Sequence, residues 1–135
     1  MTTSFDATKM PLGALADRMG IKIVSADANE IVGTMPVEGN TQPYGILNGG
    51  ASMVLVETLG SIGAMIHAGP DRIAVGIDIN GTHHKSGRSG VVTGVAKAVS
   101  LGKSLATYEV KVSDDAGVLL CSGRITCMLR DKKAN

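Results

Sequence analysis

No block of like charge occurs in this 135-residue chain: its 13 basic and 12 acidic residues leave a net charge of +1 and are spread over the whole length. Without a basic stripe there is no electrostatic footprint for DNA or RNA, and nucleic acid is not an expected partner. Only two cysteines are present, Cys121 and Cys127. Six residues apart in an apparent strand, they share a face but stand about 20 Å from each other at ~3.3 Å per residue, too far to pair. No second pair completes a metal-binding set, so both read as small core residues and no metal is expected. The start, Met1-Thr2-Thr3-Ser4-Phe5-Asp6, lacks the basic and apolar portions of a secretion signal. Nor does an uninterrupted apolar segment approach the roughly 20 residues that span a bilayer. The expectation is a cytoplasmic chain with no membrane partner. Internal repeats, low-complexity runs and linkers are also missing, and the length fits one domain over residues 1–135. With 44% hydrophobic and 19% charged residues, the chain can fill a core and is too apolar for a disordered one.

What is present is a helix among strands. Pro11 to Gly20 predicts a short helix, with proline in its first turn, Leu12, Leu15 and Met19 on one face, and Gly20 as its stop. Ile21 to Asp27 and Glu30 to Val37 are β-prone runs separated by Ala28-Asn29, a hairpin pattern in which Pro36 belongs at an edge or beyond the sheet. Asn48 to Ala68 is the one segment that reads as a long helix, stopped by Gly69-Pro70. Four strand-like runs follow: Ile73 to Gly81, Gly90 to Leu101, Ser104 to Ser113 and Val118 to Leu129. In the third, Tyr108, Val110 and Val112 alternate with Thr107, Glu109, Lys111 and Ser113, so one face is buried and the other wet. The charged end, Asp131 to Asn135, is expected to fray. The fold class is α+β: an antiparallel β-sheet wrapped around one long central helix.

Glu57 is the only carboxylate, lysine or arginine between Gly39 and Pro70. A carboxylate in so apolar a helix is expected to lose much of its hydration, which is costly without a partner or a purpose. Met53, Glu57, Ser61 and Ala64 fall on one stripe of that helix, so Ser61 can hydrogen-bond the carboxylate or a water beside it. At the helix start, Asn48 is a favoured N-cap and Gly49-Gly50 leave the free backbone N–H groups unobstructed, an arrangement suited to a negative oxygen or to close packing. Gln42, in the loop before it, can donate to a carbonyl oxygen and accept from water. His83 and His84 sit at a strand end, where alternation lets at most one of them face a given site. His67 suits the helix C-terminus. The cluster His83-His84-Lys85-Ser86-Gly87-Arg88 suits a small phosphate-bearing ligand better than a polymer. No glycine-flanked serine elbow is present.

The run Gln42-Pro-Tyr-Gly-Ile-Leu-Asn-Gly-Gly-Ala-Ser-Met-Val-Leu-Val-Glu57-Thr-Leu-Gly-Ser61, then Val75-Gly-Ile-Asp-Ile-Asn-Gly-Thr-His83-His-Lys-Ser-Gly and Ser100-Leu-Gly-Lys-Ser, resembles the hotdog-fold acyl-CoA thioesterases. The branch it resembles acts on aromatic acyl-CoA such as 4-hydroxybenzoyl-CoA and 1,4-dihydroxy-2-naphthoyl-CoA. The resemblance implies a homodimer of paired sheets, associating into a homotetramer, with its site between two protomers. It implies that Glu57 attacks the thioester carbonyl or activates a water, while the amide of Gly49 or Gly50 polarises the carbonyl. Gln42 would hold the carbonyl or water, Ser61 would position the hydrolytic water, and His83 would lie near the thioester. His83, His84, Lys85 and Ser86, the turn Ser100, Leu101, Gly102, Lys103 and Ser104, and Gly76 would hold the CoA moiety, with Lys85, Arg88 and Lys103 toward its phosphates. CoA is then part of the substrate, and no cofactor is implied. Asn48 departs from the histidine that the family usually has before its glycine pair. The alternative is therefore an acyl-CoA-binding protein of weak catalysis. A hotdog dehydratase or hydratase fits less well, since those commonly pair a histidine with an acid.

Overall fold

A computed structural model describes residues 6–133. The reading of the first five residues, and of Ala134 and Asn135 within the expected frayed end, lies outside that range. Asp131 itself is ordered in a strand and pairs with Arg72.

After a single 3-10 turn at Ala7–Lys9, the chain forms α1 (Ala14–Met19), β1 (Lys22–Ala26), β2 (Glu30–Pro36), α2 (Gly49–Ala68), β3 (Arg72–His83), β4 (Val91–Leu101), β5 (Leu105–Ser113) and β6 (Leu119–Asp131). The first helix begins three residues later than the proline suggests, because its N-cap, Gly13, sits at φ +93°, which keeps Pro11 and Leu12 outside the helix. The β1–β2 turn is held by the Asp27 side chain, whose Oδ1 accepts from the N–H of Asn29 at 2.7 Å and of Glu30 at 2.9 Å.

All strands join one antiparallel sheet in the order β1-β2-β4-β5-β6-β3. β2 is thus an interior strand, with Pro36 as its last residue, past the end of the β1 pairing and opposite Val91. β3 does not form a hairpin with β4: it pairs along β6, and the segment 84–90 carries the chain across the sheet. This leaves β3 as an edge strand.

The sheet curls around α2. Alternation in β5 is as the sequence predicts: Tyr108, Val110 and Val112 are fully buried, while Glu109 and Lys111 are exposed. The Tyr108 hydroxyl crosses the core to donate to Ala28 O at 2.6 Å, and burial pushes its pKa up to about 12. Cys121 and Cys127 are free and buried on the inner face of β6, where burial raises both thiols. By length and composition α2 is apolar enough to cross a bilayer, contrary to the sequence expectation, because one glutamate barely lowers its mean hydropathy of 1.4; half of it is buried inside the fold.

The small residues of α2 are there to be approached. A Cβ at Gly60 would overlap Ile125, and one at Gly63 would stand 2.5 Å from Ile31 and 2.6 Å from the Tyr108 ring. Alanine improves helix propensity by about 1 kcal/mol. Overpacking against a ring whose hydroxyl is already tethered costs about 1–3 kcal/mol. The clash wins, so Gly63→Ala is expected to lower the melting temperature by several degrees in a thermal unfolding scan; an unchanged or raised midpoint would show that the helix and sheet can part at this point.

Candidate active site

The start of α2 is an open cleft. Asn48 caps the helix with its side chain, Oδ1 accepting from Gly50 N at 2.7 Å. Ala51 N and Ser52 N turn back to Asn48 O at 2.9 and 3.4 Å. Of the two glycine amides proposed from sequence, Gly50 is therefore already engaged. Gly49 N–H has no partner among the described residues, which is the normal state of a first-turn donor and leaves it available to an incoming oxygen.

Gly49 also explains where His83 lies. A Cβ on Gly49 would come within 2.7 Å of His83 Nε2, so the imidazole rests against bare backbone. Around this contact the cleft is lined by Gln42, Ile46, Leu47, Ser52, His84, Lys85, Ser86, Gly87 and Leu120. Both histidines line it, unlike the sequence expectation of one. β3 ends at His83, and beyond it His84 N and Lys85 N both bond Leu120 O, so strand alternation no longer applies. His84 Nε2 also meets Ser122 Oγ at 3.0 Å. The Gln42 side-chain oxygen accepts from Tyr44 N, closing its own loop. That fixes the side chain and leaves its amide N–H groups as donors. Ser52 was missed from sequence because a serine in Gly-Gly-Ala-Ser reads as one more small helix residue.

Glu57 lies elsewhere. It is eight residues beyond Gly49, about 12 Å along the axis at 1.5 Å per residue, so the two cannot grip one carbonyl group within a single chain. Nor is it dehydrated as the sequence suggests: in the single chain Glu57 is exposed. The flank of α2 that carries it faces past the edge strand, where no further element among the described residues covers it. Two grooves meet there. One is lined by Gly76, Ile77, Asp78, Ile79 and Ile125, and the other by Met10, Pro11, Leu12, Thr58, Ser61, Ile62, Met65 and Ala74. A Cβ on Gly76 would stand 3.7 Å from Glu57 Oε1, so the carboxylate hangs over this glycine. Ser61 shares the second groove with Glu57, but its hydroxyl is directed to Cys127 Sγ at 4.0 Å.

The remaining predicted binding residues are not brought to either place in one chain. The Ser100–Ser104 turn lies at the far end of α2. There Gly102 O accepts from His67 Nε2 at 2.7 Å, Lys103 O accepts from Arg72 Nη1 at 2.7 Å, and Ser104 O accepts from Leu129 N at 2.8 Å. His67 is thus the tie between the helix end and this turn. Arg88 is exposed and lines neither the cleft nor the Glu57 grooves.

Comparison with known proteins bears on the sequence and the fold. The family model described as the thioesterase superfamily matches residues 44–121. A 1,4-dihydroxy-2-naphthoyl-CoA hydrolase of Listeria monocytogenes is 40% identical over 120 residues, covering 88% of this chain and 98% of that protein. The Escherichia coli protein of the same name is 36% identical over 115 residues, covering 84% and 85%. A crystallised thioesterase of Haemophilus influenzae superposes with a TM-score of 0.84 at 32% identity, covering 87% of this chain and 83% of that one.

Proposed function

The chain belongs to the thioesterase superfamily with a hotdog fold, and from that premise we propose that it hydrolyses acyl-CoA to a free acid and CoA. The observation that carries the reading is the unpartnered Gly49 N–H, set at the mouth of α2 among Gln42 and His83. A thioester carbonyl oxygen placed there receives a backbone donor that needs no reorganisation as negative charge develops on it. Asn48 does not spoil this donor, because its side chain occupies the neighbouring amide instead.

Glu57 supplies the carboxylate, from a second copy of the chain. It either attacks the acyl carbon or draws a proton from a water that does. In the first route the C–S bond breaks to leave a mixed anhydride with Glu57, which water then hydrolyses to the acid and the free carboxylate; in the second the C–S bond breaks as water's oxygen joins the acyl carbon; in both, CoA leaves as the thiolate and collects a proton. The reaction draws on no cofactor, since CoA is part of the substrate.

A homodimer through β3 supports the composite site. Ile73, Val75, Ile77 and Ile79 are 44%, 41%, 51% and 37% exposed along this edge strand, and Ile77 and Ile79 line the Glu57 groove. An edge with such side chains and free backbone groups pairs readily with another copy. Pairing there would cover Glu57 and bring a partner's helix start toward it. The acyl group in this reading is aromatic, on the strength of the two naphthoyl-CoA hydrolases to which the chain is similar.

The test is thiol release from a panel of aroyl- and alkanoyl-CoA esters. Turnover is expected with at least the aromatic members, at rates well above spontaneous hydrolysis. Saturable binding of every ester with no thiol released would instead identify an acyl-CoA-binding protein.

A further inference from the structure

Ser52 is 3% exposed, one of two buried polar residues among those described, yet it lines the same cleft as Gly49 and His83. Its hydroxyl makes no hydrogen bond among the described residues. No fully enclosed side-chain oxygen or nitrogen among the described residues lacks a partner, so the outlet of this hydroxyl is the cleft. Alanine would be the better helix former here and would leave no polar atom to satisfy. The fold itself gains nothing from the oxygen.

Its direction is set by the helix. Ser52 is three residues past Gly49 and so shares its face. Cα–Cβ bonds tilt toward a helix N-terminus, which leans the hydroxyl back toward the free Gly49 N–H. Ile46, Leu47 and Leu120 line the cleft around it, and Leu55 and Val56 close the helix face below with no exposed surface.

We propose that Ser52 is a catalytic residue whose hydroxyl joins the Gly49 N–H in donating to the thioester carbonyl oxygen. The inference rests on the acyl-CoA hydrolase reading above. Two donors then meet one oxygen from the same helix turn, and both strengthen as the oxygen becomes anionic, so the gain falls on kcat more than on KM.

Ser52→Ala is expected to lower kcat about 100-fold with KM changed less than about three-fold and the melting temperature not lowered. A loss smaller than about three-fold would overturn the assignment. A second measurement does not depend on turnover. Binding of two inert CoA derivatives is compared by calorimetry: a ketone analogue, in which a methylene separates the carbonyl from sulfur, and the matching thioether without a carbonyl. The substitution should weaken the ketone about two- to three-fold, in step with the small change in KM, and leave the thioether unchanged. Equal weakening of both, or of neither, would show that Ser52 does not touch the carbonyl oxygen. Absence of thiol release by the unaltered protein would instead count against the hydrolase reading, with the ketone-to-thioether ratio still deciding the role of Ser52.

Discussion

Glu57→Gln is expected to lower kcat for acyl-CoA hydrolysis by about 10³-fold or more, with KM within a few-fold of its original value. Glutamine keeps the shape of the side chain but can neither attack a carbonyl carbon nor take a proton from water. Stability should hardly change. Glu57 is exposed, and the two ion pairs among the described residues, Lys9–Asp6 and Lys97–Glu30, do not involve it. Surface substitutions of this kind stay within about 0.5 kcal/mol. A variant that retains more than a tenth of the original rate would remove Glu57 from the chemistry and leave only the carbonyl-binding cleft standing.

The second large effect is a recovery. Gly49→Pro deletes the free N–H while proline remains acceptable at a first helical position, the more so because Asn48 before it has an extended backbone at φ −65°, ψ 130°. Any new side chain there presses on His83, so Gly49→Ala serves as the control that shares the pressure and keeps the N–H. Gly49→Pro and Glu57→Gln should each be nearly inactive alone. Unfolded together and refolded as a mixture, they should regain about a quarter of the original rate, since about half the dimers are mixed and each holds one intact site of two. A mixture that stays inactive, with size-exclusion showing that dimers form, would place both groups in the service of a single chain.

Much of this was legible in the sequence. The helix over Asn48 to Ala68 is within one residue of the observed Gly49–Ala68, because a cap at one end and Gly69-Pro70 at the other bound an apolar run that nothing else interrupts. The β5 alternation was equally plain, since a half-buried strand writes its two faces directly into the residue order. Strand order was not. Whether β3 lies beside β4 or beside β6 depends on which way the segment 84–90 travels, and no residue in it encodes a neighbour forty positions away. The surroundings of Glu57 were misjudged for a related reason: apolar neighbours along a helix do not say what stands across from it, and here one flank faces an uncovered sheet edge. The choice between Gly49 and Gly50 needed a single hydrogen bond, Asn48 Oδ1 to Gly50 N, that spacing alone leaves open.

The ties at the far end of α2 have a further consequence. With Asn48 N bonded to Asn40 O at one terminus and His67 and Arg72 stitched to Gly102 O and Lys103 O at the other, the helix works as a gauge block between two fixed jaws. One residue more or fewer inside it could be absorbed only by rotating everything downstream by about 100° round the axis, which would swing Glu57 off Gly76. Residue count between the jaws is thus as binding a specification for this protein as the identity of any side chain on the helix.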